Sequence, residues 1–151
     1  MLAEDARRTL LAAAAAAQPH EAGCLLLGVR AQETVWVTSA VAIPGDSGPG
    51  HYVLHRGATS HTVNRARAAD PRVGYLGDWH SHPDGGGPSA TDRATMRALA
   101  WFLRRPPPGG PVMVLVRPGL TGRDISAYWT RGPLLRLARV GLTGPLPPPR
   151  G

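Results

Sequence analysis

The sequence predicts an α+β fold in which helices flank a mixed, mostly antiparallel β-sheet. Short apolar runs typical of strands are interspersed with three longer segments typical of helices, and 19 Gly and 16 Pro residues separate them. The chain has 151 residues, of which 42% are hydrophobic, so it has room for one hydrophobic core. We therefore expect a single domain over residues 1–140 and a loose Pro/Gly-rich tail over residues 141–151.

Three segments are predicted to be helices. Residues 3–17 contain a run of alanines, which have the highest helix propensity, and this segment ends before Pro19. Residues 58–69 suit a polar helix that ends before the next proline. Residues 89–103 form the third predicted helix, and four of its apolar residues are predicted to face the core: Met96, Leu99, Phe102 and Leu103.

Apolar runs bounded by Gly, Pro and polar residues predict the strands. Residues 44–50 are expected to form a loop, and residues 134–140 a short element of undetermined type. The last two predicted strands are expected to form a hairpin. The predicted strands are Cys24–Val29, Thr34–Ile43, Tyr52–Leu54, Val73–Trp79, Val112–Val116 and Ile125–Trp129.

Composition excludes several classes of protein. Cys24 is the only cysteine, so neither an internal disulfide nor a cysteine-ligated zinc ribbon is possible, and a reducing cytoplasm fits best. No apolar run approaches the roughly 20 residues of a membrane helix. Arg7, Arg8 and the following alanines loosely resemble a twin-arginine export signal, but the acidic Glu4 and Asp5 argue against one.

The formal charge of +7 does not by itself predict a nucleic-acid partner. All 17 cationic residues are arginines, and they are scattered along the sequence instead of forming a basic patch. We therefore expect no nucleic-acid partner, although an acidic protein partner is compatible with the charge.

A candidate metal site begins where the strand predicted at Val73–Trp79 ends. His80 and His82 are two residues apart in an extended segment, so both imidazoles are expected on the same side. Asp92, in the first turn of the next helix, can supply a third ligand if the glycine-rich loop folds back. Two histidines and one carboxylate fit one Zn²⁺ ion with an open fourth position, at which a water molecule can be acidified.

Hydrolysis at such a site also requires a general base, and Glu21 is the best placed glutamate because it directly precedes a core strand. Ser89 can donate a hydrogen bond to a developing oxyanion. The reaction class that this set predicts is amide hydrolysis.

Each of these residues also has a simpler explanation. Ser89 and Asp92 form the S-x-x-D pattern of a capping box, which serves only to satisfy the amides at a helix N-terminus. His80 and His82 can be solvated turn residues, and Glu21 a surface carboxylate. The functional interpretation depends on all of these residues occurring together in one pattern.

The same residues resemble the motif of the JAMM (MPN-plus, JAB) zinc metallopeptidase family, and most closely its compact prokaryotic branch. That motif is a distant Glu, then His-Ser/Thr-His-Pro, then Ser-x-x-Asp, which here are Glu21, residues 80–83 and residues 89–92. The resemblance covers about the whole chain and implies a cytidine-deaminase-like layout. It also implies that His80, His82 and Asp92 ligate zinc, that Glu21 is the general base and acid, and that Ser89 supports the tetrahedral intermediate.

Two departures from the family pattern occur near the site. Nine residues separate His82 from Asp92 where ten are commoner, and Gly23 and Cys24 reverse the usual Cys-Gly order. Neither removes a ligand. We interpret Cys24 as a buried strand residue and Trp79 as a core residue. The remaining histidines match no motif position, although two of them, His51 and His55, are candidates for lining the cleft: His20, His51, His55 and His61.

By this resemblance the substrate is a ubiquitin-like or sulfur-carrier protein, cleaved after its C-terminal glycine in deconjugation or precursor processing. The alternative is a noncatalytic MPN-like scaffold that binds a protein partner. The sequence leaves open the physiological substrate, the type of amide bond and the oligomeric state.

Overall fold

The fold was obtained from a computed structural model that describes residues 1–31, 34–41, 46–48, 51–53, 56–103, 110–117, 124–131 and 134–143. Three helices lie in these ranges: α1 (Glu4–Ala17), α2 (Arg56–Ala69) and α3 (Ala90–Leu103). The strands are β1 (Leu2–Ala3), β2 (Gly23–Ala31), β3 (Thr34–Val41), β4 (Asp46–Gly48), β5 (His51–Val53), β6 (Gly74–Ser81), β7 (Val112–Val116), β8 (Ile125–Arg131), β9 (Leu134–Ala138) and β10 (Leu142–Thr143).

Eight strands form one mixed sheet in the order β10-β1-β3-β2-β6-β7-β8-β9. Antiparallel pairing joins β3 to β2, β2 to β6, β7 to β8 and β8 to β9. The β6–β7 pair is parallel, as are both pairs made by β1. This arrangement confirms the predicted α+β class and the hairpin of β7 and β8. The helices of the described part are all too short or too polar to cross a membrane.

The main core lies between α1 and one face of the sheet. Ala6, Leu10 and Ala14 recur every four residues on one side of α1 and are all buried. They pack in one cluster with apolar side chains of the central strands, Trp79 and Cys24 among them. Both residues are therefore core residues, as predicted.

The opposite face of the sheet is covered by α2 and α3. Val63 of α2 packs in a second cluster with Leu27 and Val29 of β2. Met96 is the buried residue of α3. Because α3 begins close to the end of β6, its first turn can approach the residues with which that strand ends.

Phe102 does not reach the core, so its predicted position was wrong. Its side chain is 63% exposed and stands edge-on to the exposed Trp101. At 100° per residue Phe102 lies roughly 120° around the helix from Met96, whereas Leu99 and Leu103 lie close to the Met96 side and are half-buried. The apolar stripe that packs on the sheet is narrower than the apolar content of the segment suggests.

The structure also includes short strands, most of which the sequence did not predict. Leu142–Thr143 pair in parallel with Leu2–Ala3, so the segment expected to be a loose tail begins with a strand. Asp46–Gly48, in a segment expected to be loop, pair with His51–Val53 in a separate two-stranded sheet, and His51–Val53 overlaps the predicted strand Tyr52–Leu54. The undetermined element becomes strand Leu134–Ala138. Two-residue strands are held by their neighbours and have no hydrophobic pattern of their own to predict them.

The backbones of β6 and β7 approach each other closely at Gly77. Its φ of 149° lies in the region that favours glycine, and a Cβ at this position would lie 1.8 Å from the carbonyl oxygen of Val112. We expect Gly77→Ala to lower the free energy of unfolding by about 2–4 kcal/mol, measured by urea denaturation. Gly57 is an exposed residue of α2, and a Cβ added to it would have nothing within 4 Å. Gly57→Ala should therefore stabilise the protein by about 0.5–1 kcal/mol, and equal effects of the two substitutions would contradict this assignment.

Candidate metal centre

The pairing of β2 with β6 sets the position of the candidate site. Gly23 lies opposite His80 in this antiparallel pair. Beyond that point the amide of Ser81 donates to the carbonyl of Ala22 at 2.7 Å, and the amide of Ala22 donates to Oγ of Ser81 at 2.8 Å. These two hydrogen bonds continue the pairing past the end of the strands, which brings Glu21 next to His82.

The His80-Ser81-His82 segment is also held from its other side. His80 is paired with Leu115 of β7, and the amide of His82 donates to the carbonyl of Val116 at 2.8 Å. Because the segment is extended, Ser81 points into the protein and is fully buried, while both imidazoles share the opposite face. Their ring centroids are 4.9 Å apart. The sequence prediction that both rings point the same way is confirmed.

Asp92 completes a compact group of ligand atoms. Its Oδ1 lies 3.1 Å from Nε2 of His80, and its Oδ2 lies 3.4 Å from Nε2 of His82. One ligand atom from each of the three residues lies within 4.8 Å of the others. Ligand atoms about 2.0–2.2 Å from a common zinc ion must fall within this range of each other.

The surroundings of the two histidines leave Nε2 of each ring available to a metal ion. Nδ1 of His82 lies 3.3 Å from the carbonyl oxygen of Gly86, which can only accept a hydrogen bond, so the proton of the neutral ring belongs on Nδ1. Nε2 then keeps its lone pair. Nε2 of His80 is buried and makes no hydrogen bond among the described residues, despite its closeness to Asp92. An orphaned buried nitrogen beside a carboxylate fits a cation between them.

The capping box predicted at the start of α3 is also present. Oγ of Ser89 accepts a hydrogen bond from the amide of Asp92 at 3.1 Å, and Oδ2 of Asp92 accepts one from the amide of Ser89 at 2.6 Å. The capping and ligand interpretations are therefore compatible, because these bonds fix the carboxylate with its oxygens toward the two histidines. Capping orients the ligand.

Glu21 lies beside His82, and Ser89 is bonded to Asp92. Oε1 of Glu21 is 4.0 Å from Nε2 of His82, and its side chain is only 20% exposed. It lies outside the three-residue group but faces it. Ser89 is exposed, and its hydroxyl oxygen already accepts from Asp92, which leaves its proton available to donate.

The charges of the site are strongly coupled. Burial raises the pKa of Asp92, but the adjacent His80 and His82 outweigh this effect and hold the pKa well below its ordinary value. The hydrogen bond with Asp92 raises the pKa of His82 against the opposing effect of burial, with a smaller contribution from Glu21. In the metal-free protein a proton on His82 therefore partly neutralises the charge of Asp92, as a bound metal cation would.

This coupling predicts how zinc binding depends on pH. Zinc needs neutral His82, so it must displace a proton whenever the pH is below the raised pKa of this residue. The stabilisation from protonated His82 is complete below about pH 6.5, the ordinary histidine value, and is lost as the pH rises through the raised pKa. We expect the increase in melting temperature on adding zinc to grow between about pH 6 and pH 8. Differential scanning fluorimetry checks this, and a zinc effect that is largest at pH 6 would contradict it.

Sequence reasoning missed the half-buried pair of Tyr75 and Asp78. The hydroxyl of Tyr75 donates to Oδ1 of Asp78 at 2.8 Å, and burial raises the pKa of Asp78 to about 6 despite this bond and the nearby His80. Residues three apart normally face opposite sides of a strand. Here the register of β6 against β2 shifts between Tyr75 and Gly77, so a β-bulge brings the two side chains together. The alternation of residues 78, 80 and 82 could have placed Asp78 on the face of the two histidines.

Two of the remaining histidines, His20 and His61, are exposed. The side chains of His51 and His55 lie outside the described residues, so the suggestion that one of them lines the cleft stays a prediction.

Comparisons with known proteins are consistent with this fold. A search of curated proteins gave no significant match. Protein DSY2949 from Desulfitobacterium hafniense, known from a solution structure, is 21% identical with a TM-score of 0.71, over 97% of this chain and 95% of that one. AF2198, a JAB1/MPN domain protein from Archaeoglobus fulgidus, is 17% identical with a TM-score of 0.60, over 94% and 95% of the two chains. The family of prokaryotic homologs of the JAB domain matches residues 3–130. This match spans most of the sequence, and the chain therefore belongs to the prokaryotic JAB-domain family.

Proposed function

We propose that this protein is a zinc-dependent peptidase or isopeptidase that hydrolyses an amide bond after the C-terminal glycine of a ubiquitin-like or sulfur-carrier protein. The observation that carries the proposal is the convergence of His80, His82 and Asp92 on one point, with Glu21 facing it. Two imidazoles and a carboxylate are a donor set typical of catalytic zinc, whereas structural zinc sites are closed by four protein ligands.

Each side chain then has a defined part in the reaction. When bound, a zinc ion supplies Lewis-acid polarisation and lowers the pKa of water. Glu21 takes the proton of the attacking water and passes it to the leaving amine, so it acts first as a base and then as an acid. The free hydroxyl proton of Ser89 donates to the oxygen that becomes negative during attack.

The substrate class comes from the family resemblance of the motif. Members of the JAMM family act on the glycine-ended tails of ubiquitin-like proteins. Such a tail is an extended, strand-like segment that can bind along a sheet edge. The formal charge of +7 suits a protein partner with an acidic surface. The single cysteine, buried in β2, is consistent with action in a reducing cytoplasm.

A direct test uses a sulfur-carrier protein ending in Gly-Gly, fused through its last glycine to a small reporter protein. We expect the zinc-loaded chain to cut after this glycine, as read by intact-mass spectrometry, and expect a chelator to stop the cleavage until zinc is restored. A matched fusion ending in Ala-Ala should stay intact. Failure of the folded, zinc-loaded chain to cut glycine-ended fusions of sulfur-carrier and ubiquitin-like proteins would favour the noncatalytic scaffold.

A further inference from the structure

The loop that follows β6 folds back onto one of the two histidines. The amide of Gly85 donates to the carbonyl of His82 at 3.0 Å, which closes a turn with Pro83 at its second position. Proline is favoured at this position of common β-turns because its φ is fixed. Gly85 has a φ of 76°, in the left-handed region that glycine adopts without strain. The residue types of the loop therefore fit the conformation that it adopts.

The side chain of Asp84 extends this turn by one residue. Its Oδ1 accepts a hydrogen bond from the amide of Gly86 at 3.0 Å, which is the pattern by which an aspartate holds the backbone two residues further on. The carbonyl oxygen of Gly86 in turn lies 3.3 Å from Nδ1 of His82. Asp84 is itself exposed and lies outside the group of three ligands. It is nevertheless connected to His82 through a single intervening residue.

The neutral ring of His82 has an acceptor on each side, so two positions compete for its one proton. The carbonyl of Gly86 faces Nδ1, whereas Oδ2 of Asp92 lies 3.4 Å from Nε2. A carboxylate is the stronger acceptor and draws the proton toward Nε2, and the carbonyl opposes this by accepting from Nδ1. A metal ion binds only a ring nitrogen that has no proton. The position of the Gly86 carbonyl therefore affects how readily Nε2 of His82 binds a metal ion.

We propose that Asp84 is a positioning residue for the metal centre. By holding Gly86, it keeps the carbonyl of that residue at Nδ1 of His82 and leaves Nε2 free of a proton. Groups that hydrogen-bond to a metal-bound histidine orient its ring and fix its tautomer, and their loss weakens metal binding. The inference rests on the role of His82 as a ligand in the proposed function, but it does not depend on the substrate or on hydrolysis.

The zinc affinity of full-length variants, measured by competition with a chromophoric chelator, tests this role. Asp84→Ala removes the acceptor that holds Gly86, and we expect zinc affinity to fall about tenfold. Asp84→Asn keeps an acceptor oxygen and loses the charge, so its zinc affinity should stay within about threefold of the wild-type value. Equal losses in the two variants would mean that Asp84 acts through its charge alone, and the proposal would be wrong.

Asp70 offers a matched control, because it makes the same kind of turn bond elsewhere. Its Oδ1 accepts from the amide of Arg72, two residues further on, also at 3.0 Å. This turn precedes β6, whereas Asp84 follows it. Asp70→Ala should therefore change zinc affinity less than about twofold. A loss as large as that of Asp84→Ala would indicate a general effect of weakened folding, and would also contradict the proposal.

A second measurement uses the metal-free protein and needs neither zinc binding nor cleavage. Long-range proton–nitrogen correlation spectra, recorded above the raised pKa of His82, show which nitrogen of the neutral ring has the proton. The fraction with the proton on Nδ1 should be higher in the wild-type protein and in Asp70→Ala than in Asp84→Ala. An unchanged fraction in Asp84→Ala would overturn the proposal. If the wild-type protein binds no zinc, the proposed function fails, and these spectra still decide whether Asp84 fixes the tautomer of His82.

Discussion

Replacement of Glu21 by Gln is expected to remove most of the hydrolysis while leaving zinc in place. Oε1 of Glu21 faces the site but is 4.0 Å from Nε2 of His82 and does not belong to the ligand group. Glutamine has the same shape but cannot accept and return a proton. We expect the rate of cleavage to fall about a hundred- to ten-thousandfold at unchanged zinc content, measured by a cleavage assay and elemental analysis of the same sample.

The matched control for this prediction is Glu4→Gln. Glu4 is a half-exposed residue of α1 that pairs with Arg7, so its loss should leave the cleavage rate unchanged. Normal cleavage by Glu21→Gln would remove Glu21 from the role of base. Loss of zinc from the same variant would mean that Glu21 is itself a ligand.

His82→Ala is expected to lose both zinc and hydrolysis. Nε2 of this histidine lies between Asp92 at 3.4 Å and Glu21 at 4.0 Å. Its removal takes away one ligand and one of the two histidines that lower the pKa of Asp92, so this pKa should rise. We expect zinc affinity to fall more than about a hundredfold, measured by competition with a chromophoric chelator.

His61→Ala is the control for the loss of an imidazole, because His61 is an exposed residue of α2. It should keep the zinc affinity of the wild-type protein. Tight zinc binding by His82→Ala, or equal losses in the two variants, would show that the ion is not held where the geometry indicates.

Much of the site follows from local sequence rules. The spacing of His80 and His82 fixes their common direction because the segment is extended, and the S-x-x-D pattern fixes the first turn of α3. These two local features supply all three ligands. The fold class followed in the same way from apolar runs and helix-breaking prolines.

The remaining features depend on contacts between distant segments. The register that places Gly23 opposite His80, and hence Glu21 beside His82, is a property of the β2–β6 pair and not of either strand alone. The bulge that joins Tyr75 to Asp78 has the same origin. Phe102 was misplaced because apolar content does not reveal how wide a stripe of α3 the sheet covers.

The most direct test of the central claim is the zinc content per chain of the wild-type protein and of Asp92→Ala, with Ser89→Ala as the control that removes only the capping hydroxyl. We predict about one zinc ion per chain in the wild-type protein and in Ser89→Ala, and almost none in Asp92→Ala. Elemental analysis after reconstitution and dialysis gives the answer. A wild-type protein without zinc, or an Asp92→Ala variant with as much zinc as the wild type, would contradict the assignment of a metal centre at His80, His82 and Asp92.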